Sequence, residues 1–181
     1  MNAIEFLVRF AFGAYISIIL VRMWLQLARA DFYNPASQFV VKATQPVVGP
    51  LRRFIPALGQ LDTATLLFAY VMAVLKIITL SFMITGGIPG FLSLLVPGVI
   101  VLIGHIFDVV FYILIIRAIL SWVSQGGNPI EMVMYQLTEP LLAPIRRIIP
   151  PMGGLDLSIL IAILAIQFIR ILIGDLTGIR I

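Results

Sequence analysis

Four long apolar runs divide the chain, and polar or glycine- and proline-rich segments separate them. The runs cover about residues 4–28, 62–85, 98–123 and 156–174. A helix rises about 1.5 Å per residue, so each run can cross roughly 30 Å of hydrocarbon. The second and fourth runs open with Asp62 and Asp156, a residue type that caps first turns. The piece Phe91–Val96 is too short to cross, and it is either an interfacial turn or the lead-in to the third span.

Composition places the chain among membrane proteins. Hydrophobic residues make up 61% of it and charged residues 11%, whereas a soluble domain needs about a quarter charged residues. The mean hydropathy is +1.13, and there is no room for a separate soluble domain. Glu5 precedes the first run, without a basic segment before it or a small-residue cleavage site after it. We therefore predict that this run is a retained span and not a cleaved signal peptide.

The segment between the first two runs is repeated between the last two. Residues 34–76 align without a gap on residues 128–170, at a constant offset of 94 and with thirteen identities. The positions that recur are Asn34, Pro35, Thr44, Pro46, Pro50, Arg52, Arg53, Ile55, Pro56, Gly59, Leu61, Asp62 and Leu66. This pattern predicts an all-α integral membrane protein made of two tandem hairpin repeats, residues 1–90 and 91–181. Two spans per repeat is an even number, so the repeats are parallel.

Positive charges predict the orientation. They concentrate on the side of the repeated connectors, namely at Arg29, Lys42, Arg52, Arg53, Arg146 and Arg147, with Arg22 and Arg117 close by. The opposite side has only Arg9 and Arg180. The positive-inside rule then places both connectors in the cytoplasm and both termini outside.

Each connector follows the pattern T-x-P-x-x-x-P-x-R-R-x-x-P-x-x-G-x-x-D. Its hairpin residues are Pro46, Pro50, Pro56 and Asp62, and then Pro140, Pro144, Pro150 and Asp156. Prolines lack an N–H and restrain the preceding residue, so we expect three of them to forbid one continuous helix. Short amphipathic helices over 35–43 and 129–137 fit the segments upstream. The apolar residues among the prolines suit a connector that lies in the headgroup layer.

The arginine pairs of the connectors allow two interpretations. In the first, each connector only staples a hairpin and anchors it to lipid. In the second, the pairs converge into one site for an anionic lipid or for the acidic tail of a partner, because guanidinium groups match phosphate oxygens. The residues of this predicted site are Arg52, Arg53, Arg146 and Arg147.

A second polar set lies inside the spans. Lys76, Asp108 and Arg170 each lie about fourteen residues from the cytoplasmic end of their span, roughly 21 Å deep. His105 precedes Asp108 by one helical turn. Charges at this depth are costly, so one aspartate between two cations predicts a buried ionic cluster. The alternatives are a proton or ion relay, and snorkelling of the cations toward the outer surface.

The repeated P-x-x-x-P-x-R-R-x-x-P with the following G-x-x-D resembles the YggT family of bacterial inner-membrane proteins. The segment RAILSW, residues 117–122, is similar to that family too, and the resemblance covers essentially the whole chain. The second copy is the closer match. In the first copy Ala64 stands where the second has Ser158, so we expect a capping contact to be lost there. The resemblance implies a small inner-membrane protein, with relatives linked to osmotic and potassium stress, cell-division gene neighbourhoods and thylakoid biogenesis.

These patterns favour a non-enzymatic assembly or scaffold protein that binds anionic lipid or an unidentified membrane protein. The alternative is a small oligomeric ion channel or transporter in osmotic or potassium homeostasis, and a homo-oligomer is left open. There are no cysteines, one histidine, no P-loop and no nucleophile elbow, so we predict no catalytic residues, no metal and no cofactor. No long basic run with interleaved aromatic residues indicates nucleic acid.

Overall fold

The computed structural model describes residues 2–123, 128–149 and 156–178. Six helices occur in these ranges, and together they confirm the all-α class. They are α1 (Ala3–Leu27), α2 (Pro35–Phe54), α3 (Thr63–Thr85), α4 (Phe91–Val123), α5 (Pro129–Ile148) and α6 (Leu157–Thr177). An antiparallel bridge between Leu58 and Leu61 shapes the turn that leads from α2 to α3.

Four of the helices are long and apolar enough to cross a membrane, namely α1, α3, α4 and α6. They contain 25, 23, 33 and 21 residues. The shortest is therefore about 30 Å long, which is the thickness of the hydrocarbon layer. Apart from the start of α4, these helices match the four predicted runs within a few residues, so the prediction of a multi-pass membrane protein is confirmed.

Helix α4 begins at Phe91 and includes Pro97, whereas the sequence predicts the third span from Gly98. Of the two alternatives for the short piece before Pro97, the lead-in to the span is the one observed. The Tyr70 hydroxyl of α3 donates to the Leu95 carbonyl at 3.1 Å. A Cβ at Gly98 would lie 2.7 Å from Val74 Cγ2, so the glycine lets α4 approach α3 closely.

Helices α2 and α5 continue through the first two prolines of each connector, so the prediction that the prolines forbid a continuous helix is wrong for those two. In the first connector the helix does end before the third proline. In α2, Lys42, Pro46 and Pro50 are four residues apart, lie on one face and are exposed. Pro46 removes the N–H that would donate to the carbonyl of Lys42, and Lys42 is itself an exposed residue. Pro56 comes after the helix has ended.

The second connector has the same design. Pro140 and Pro144 are both exposed and lie inside α5, while Pro150 lies outside the described residues. The opposite face of each helix is buried, through Val40, Thr44 and Val48 in α2 and through Leu137, Thr138 and Leu142 in α5. Both helices are amphipathic and extend well beyond the short segments predicted from the sequence.

Aspartates cap α3 and α6, as the sequence predicts. Asp62 accepts from the Thr65 backbone N–H at 3.3 Å and also from its hydroxyl. Asp156 accepts from the Ser158 backbone N–H at 3.1 Å and also from its hydroxyl. The expectation that the first copy loses this contact because of Ala64 is wrong, since Thr65, one position further on, supplies the hydroxyl.

The chain forms two compact units, one of Met1–Met23 with Val40–Ile106 and one of Trp24–Phe39 with Phe107–Ile181. The first unit buries Ile16, Ile19, Ala69 and Ala73 completely. The second buries a cluster of Leu114, Leu142, Ile159 and Ala162. This division by compactness differs from the division into sequence repeats at residue 90, which stays a prediction.

Candidate functional site

The first connector is closed by an ion pair between its first arginine and the capping aspartate. Arg52 in the last turn of α2 donates from Nε and Nη2 to Asp62 Oδ2, at 3.1 and 2.5 Å. The Asp62 side chain is 2% exposed, whereas that of Arg52 is 41% exposed. The pair therefore ties the end of α2 to the start of α3.

The second connector has the same pair and one carboxylate more. Arg146 donates from Nε and Nη2 to Asp156 Oδ2, at 3.0 and 2.5 Å. It also donates from Nη1 to Glu139 Oε2 at 2.7 Å. The position equivalent to Glu139 is Gln45 in the first copy, so that position carries no charge there. The Arg146 guanidinium therefore joins the middle of α5 to the start of α6.

These contacts change the proton affinity of both aspartates. Burial by itself would raise the pKa of Asp62, but hydrogen bonds from Arg52 and Thr65 outweigh it and hold that pKa below its ordinary value. Burial acts in the same direction on Asp156, and the hydrogen bonds from Ser158 and Arg146 again leave its pKa lowered. Both carboxylates are therefore ionised at neutral pH.

The second arginine of each pair has a different environment. Arg53 and Arg147 are exposed, and neither forms an ion pair with a residue in the described ranges. Each is followed by an exposed apolar side chain, since Phe54 is 84% and Ile148 81% exposed. Each amphipathic helix thus ends in an accessible cation beside an accessible apolar group.

The contacts divide the predicted arginine site into two kinds of residue. Its four members are Arg52, Arg53, Arg146 and Arg147. Their assignment to lipid or partner binding stays a prediction, and the ion pairs favour the second arginine of each connector for that role. The expected convergence of the two connectors concerns the arrangement of the two units, and it also stays a prediction.

Another arginine explains the threonine that opens the connector motif. Arg22 of α1 is 3% exposed and donates to Thr44 Oγ1 at 2.7 Å and to Gln45 Oε1 at 2.6 Å. The Thr44 hydroxyl in turn donates to the Val40 carbonyl at 2.7 Å. From the sequence, Arg22 is interpreted only as a positive charge near the cytoplasmic side. In the structure it fastens α1 to α2.

The charges inside the spans lie in two close pairs, one in each unit. In the first, Lys76 Nζ lies 2.9 Å from His105 Nε2. In the second, Arg170 Nη1 donates to Asp108 Oδ1 at 2.7 Å. The predicted pairing of Lys76 with Asp108 would join the two units and stays a prediction. Each described pair lowers the cost of placing ionisable groups in hydrocarbon.

Two Asn-Pro pairs form a contact that the motif analysis did not use. Asn34 donates from Nδ2 to the Pro129 carbonyl at 2.5 Å, and its Oδ1 accepts from the Ala36 N–H at 2.9 Å. Asn128 caps α5 by accepting from the Ile130 N–H at 2.9 Å. Both pairs belong to the thirteen repeated positions, and that repetition was the signal that could have revealed them.

Four apolar helices of spanning length and two amphipathic helices place this chain in the class of small multi-pass helical membrane proteins. The chain belongs to the CCB3/YggT family, whose model matches residues 1–83 and 96–177. The resemblance inferred from the connector motif is therefore confirmed.

Relatives in several bacteria cover nearly the whole chain. An uncharacterized protein in the proC 3′ region of Vibrio alginolyticus is 55% identical over 98% of this chain and 97% of its own length. The uncharacterized protein YggT of Escherichia coli K12 is 46% identical over 97% of this chain and 91% of its own length. The uncharacterized protein PA0392 of Pseudomonas aeruginosa is 44% identical over 88% of this chain and 82% of its own length. No solved structure matches the chain.

Proposed function

We propose that the protein is a non-enzymatic assembly or scaffold protein of the bacterial inner membrane. It holds anionic lipid, or an acidic segment of a partner membrane protein, through its two connectors. The observation that carries the proposal is the exposure of Arg53 and Arg147 beside Phe54 and Ile148. In the headgroup layer such an apolar side chain enters the lipid, and the neighbouring guanidinium meets phosphate.

The chemistry of the two exposed side chains suits phosphate. A guanidinium donates two parallel hydrogen bonds to phosphate oxygens, which a lysine cannot do. Each basic residue at an anionic surface contributes about 1 kcal/mol. Arg53 and Arg147 are available for a lipid or a partner, because Asp62 and Asp156 form their ion pairs with the preceding arginines, Arg52 and Arg146.

The proposal includes a tandem parallel repeat with both connectors in the cytoplasm. In support, α2 and α5 begin at Pro35 and Pro129 and end at Phe54 and Ile148, each 94 positions apart as in the sequence. The family model also matches two stretches of similar length. The excess of Lys and Arg around the connectors supports the orientation.

The alternative, an oligomeric ion channel or transporter, would need polar groups in succession across the membrane. The groups at mid-depth are instead engaged in close pairs, Lys76 with His105 and Arg170 with Asp108. Such pairs fit a role in specifying the fold. They do not support the channel alternative.

Two matched double variants test the proposal. Arg53→Gln with Arg147→Gln should reduce the phosphatidylglycerol and cardiolipin, or the partner, that co-purify with the protein, while the thermal midpoint changes little. Arg52→Gln with Arg146→Gln removes the same charge but breaks the pairs with Asp62 and Asp156, so it should lower the midpoint. Native mass spectrometry and thermal unfolding measure the two effects.

The proposal fails if the Arg53 and Arg147 variant retains lipid and partner like the wild type. Those two arginines would then act only as topology signals. It also fails if lipid is lost only in the Arg52 and Arg146 variant, since the binding role would then belong to the arginines that close the connectors.

A further inference from the structure

A cavity of about 630 Å³ lies within the second unit. It is formed by the loop after α1, the last part of α4 and the first turns of α5. Its volume is typical of sites for small ligands, about 300–1,000 Å³. The proposed function does not use it, because Arg53 and Arg147 do not line it. The described residues around it include Asp31, Tyr33, Asn34, Arg117, Glu131 and Tyr135.

Arg117 is the cation among the described residues that line this cavity, and one of its donors, Nε, has no acceptor among them. Its side chain is 12% exposed, and its Nε is buried without a hydrogen-bond acceptor among them. The nearest carboxylate contact runs from Nη1 to Glu131 Oε1 at 3.8 Å, which is too long for a hydrogen bond. The guanidinium lies 5.2 Å from the centre of the Tyr135 ring. A buried donor in this state favours an anionic oxygen group.

The same cavity also presents groups that favour a cation. Among the described lining residues, Asp31 and Glu131 supply two carboxylates and Arg117 supplies one guanidinium. Asp31 Oδ1 accepts from the Tyr33 N–H at 2.8 Å, which fixes the carboxylate in place. The Tyr33 ring is 88% exposed and can face an ammonium group. A single ligand that pairs with the guanidinium and with the carboxylates carries a negative and a positive group, so it is zwitterionic.

The position of the cavity along α4 indicates the source of such a ligand. Trp122 and Val123 at the end of α4 are 73% and 75% exposed. Exposed tryptophan is typical of the membrane–water interface. Arg117 precedes Trp122 by five residues, about 7.5 Å along the helix. We therefore expect the cavity to lie near the depth of phospholipid headgroups.

We propose that this cavity binds a zwitterionic group in which a phosphate and a primary ammonium are joined by a short linker. The phosphate contacts Arg117, and the ammonium contacts Asp31 and Glu131. A membrane lipid with an ethanolamine headgroup and free phosphoethanolamine share this chemistry. Binding of such a headgroup is independent of the anionic lipid that we assign to the connectors.

The test uses the full-length purified protein in micelles with equal amounts of ethanolamine, glycerol and choline phospholipids, and native mass spectrometry measures the bound lipids. Arg117→Met should lower retention of the ethanolamine lipid by about tenfold or more, since it removes a charged hydrogen-bond donor. Glu131→Gln should lower the ratio of bound ethanolamine to bound glycerol lipid, since it removes one of the two negative charges that attract the ammonium. Arg53→Gln with Arg147→Gln is the control, and it should leave retention of the ethanolamine lipid unchanged.

Free phosphoethanolamine, titrated into delipidated protein by calorimetry, distinguishes the two sources. Binding of the free compound makes a soluble ligand sufficient, whereas binding of the lipid alone assigns the site to the membrane. If Arg117→Met does not fold, Glu131→Gln decides. A wild-type lipid ratio in Glu131→Gln, or wild-type retention in a folded Arg117→Met, overturns the inference. A lowered thermal midpoint in Arg117→Met with an unchanged lipid ratio also overturns it and leaves Arg117 a structural role.

Discussion

Adjacent arginines in each connector have different tasks because successive residues on a helix point about 100° apart. Arg52 is directed toward Asp62, and the next residue, Arg53, is turned to the outside. The pair formed by Arg146 and Arg147 repeats this arrangement. One arginine therefore stabilises the hairpin, and its neighbour remains accessible to a ligand.

Acid should remove the stabilisation that the two aspartates give to the connectors, and it should do so in both connectors over a similar pH range. The pKa values of Asp62 and Asp156 are lowered in the folded protein, so their stabilisation is complete above the pKa of an unfolded aspartate, about 3.9. It is lost as the pH falls through the lower folded values. Asp62→Asn with Asp156→Asn should cost about 1–3 kcal/mol per pair at pH 7 and flatten the pH dependence below about pH 4. Thermal unfolding in detergent from pH 7 to about pH 2 measures this, and an unchanged slope in the double variant would contradict it.

At the scale of the helices, α4 packs closely on α3 because Gly98 has no side chain. Gly98 lies where a Cβ would be 2.7 Å from Val74 Cγ2 and 2.9 Å from Tyr70 Cε2. Val74 is β-branched and therefore stiff, so it cannot easily move aside. The same stretch of α4 carries Pro97, and the Tyr70 hydroxyl binds a carbonyl beside it. The contact holds the beginning of α4 against α3 despite the proline.

Replacing Gly98 by alanine should destabilise the protein. Overpacking costs about 1–3 kcal/mol, more than the gain in helix propensity of up to about 1 kcal/mol. Gly90→Ala, just before α4, is the control for a glycine with open space around it, because the nearest atom to its Cβ would be Ser93 Oγ at 3.9 Å. Thermal midpoints of the two variants in detergent compare the sites. A Gly98 variant as stable as the Gly90 variant would show that the two helices can separate there at no cost.

The sequence predicts the elements of this fold better than their connections. Apolar runs and capping aspartates locate the four spans, because helix length and cap chemistry are local properties. The path of α2 through Pro46 and Pro50 is not predictable from local rules, since it depends on the buried face that holds the helix from the other side. The cavity around Arg117 brings together segments far apart in the sequence, and no local pattern marks it.

At the scale of the whole molecule, the account rests on which side of the membrane the connectors occupy. Both carry an exposed arginine next to an exposed apolar residue. These groups can act on anionic lipid of the cytoplasmic leaflet only if both connectors face the cytoplasm. The orientation predicted from the Lys and Arg count is therefore the central claim.

Single cysteines test this claim most directly, because the chain has none of its own. They are introduced at the exposed Gln60 and at its repeat counterpart Gly154, which lies outside the described residues. An impermeant thiol reagent should leave both unlabelled in intact cells and label both after lysis. A cysteine at Gly87, in the exposed turn between α3 and α4, is the control and should be labelled in intact cells. Labelling of the connector cysteines in intact cells, with Gly87 protected, would contradict the orientation and the function built on it.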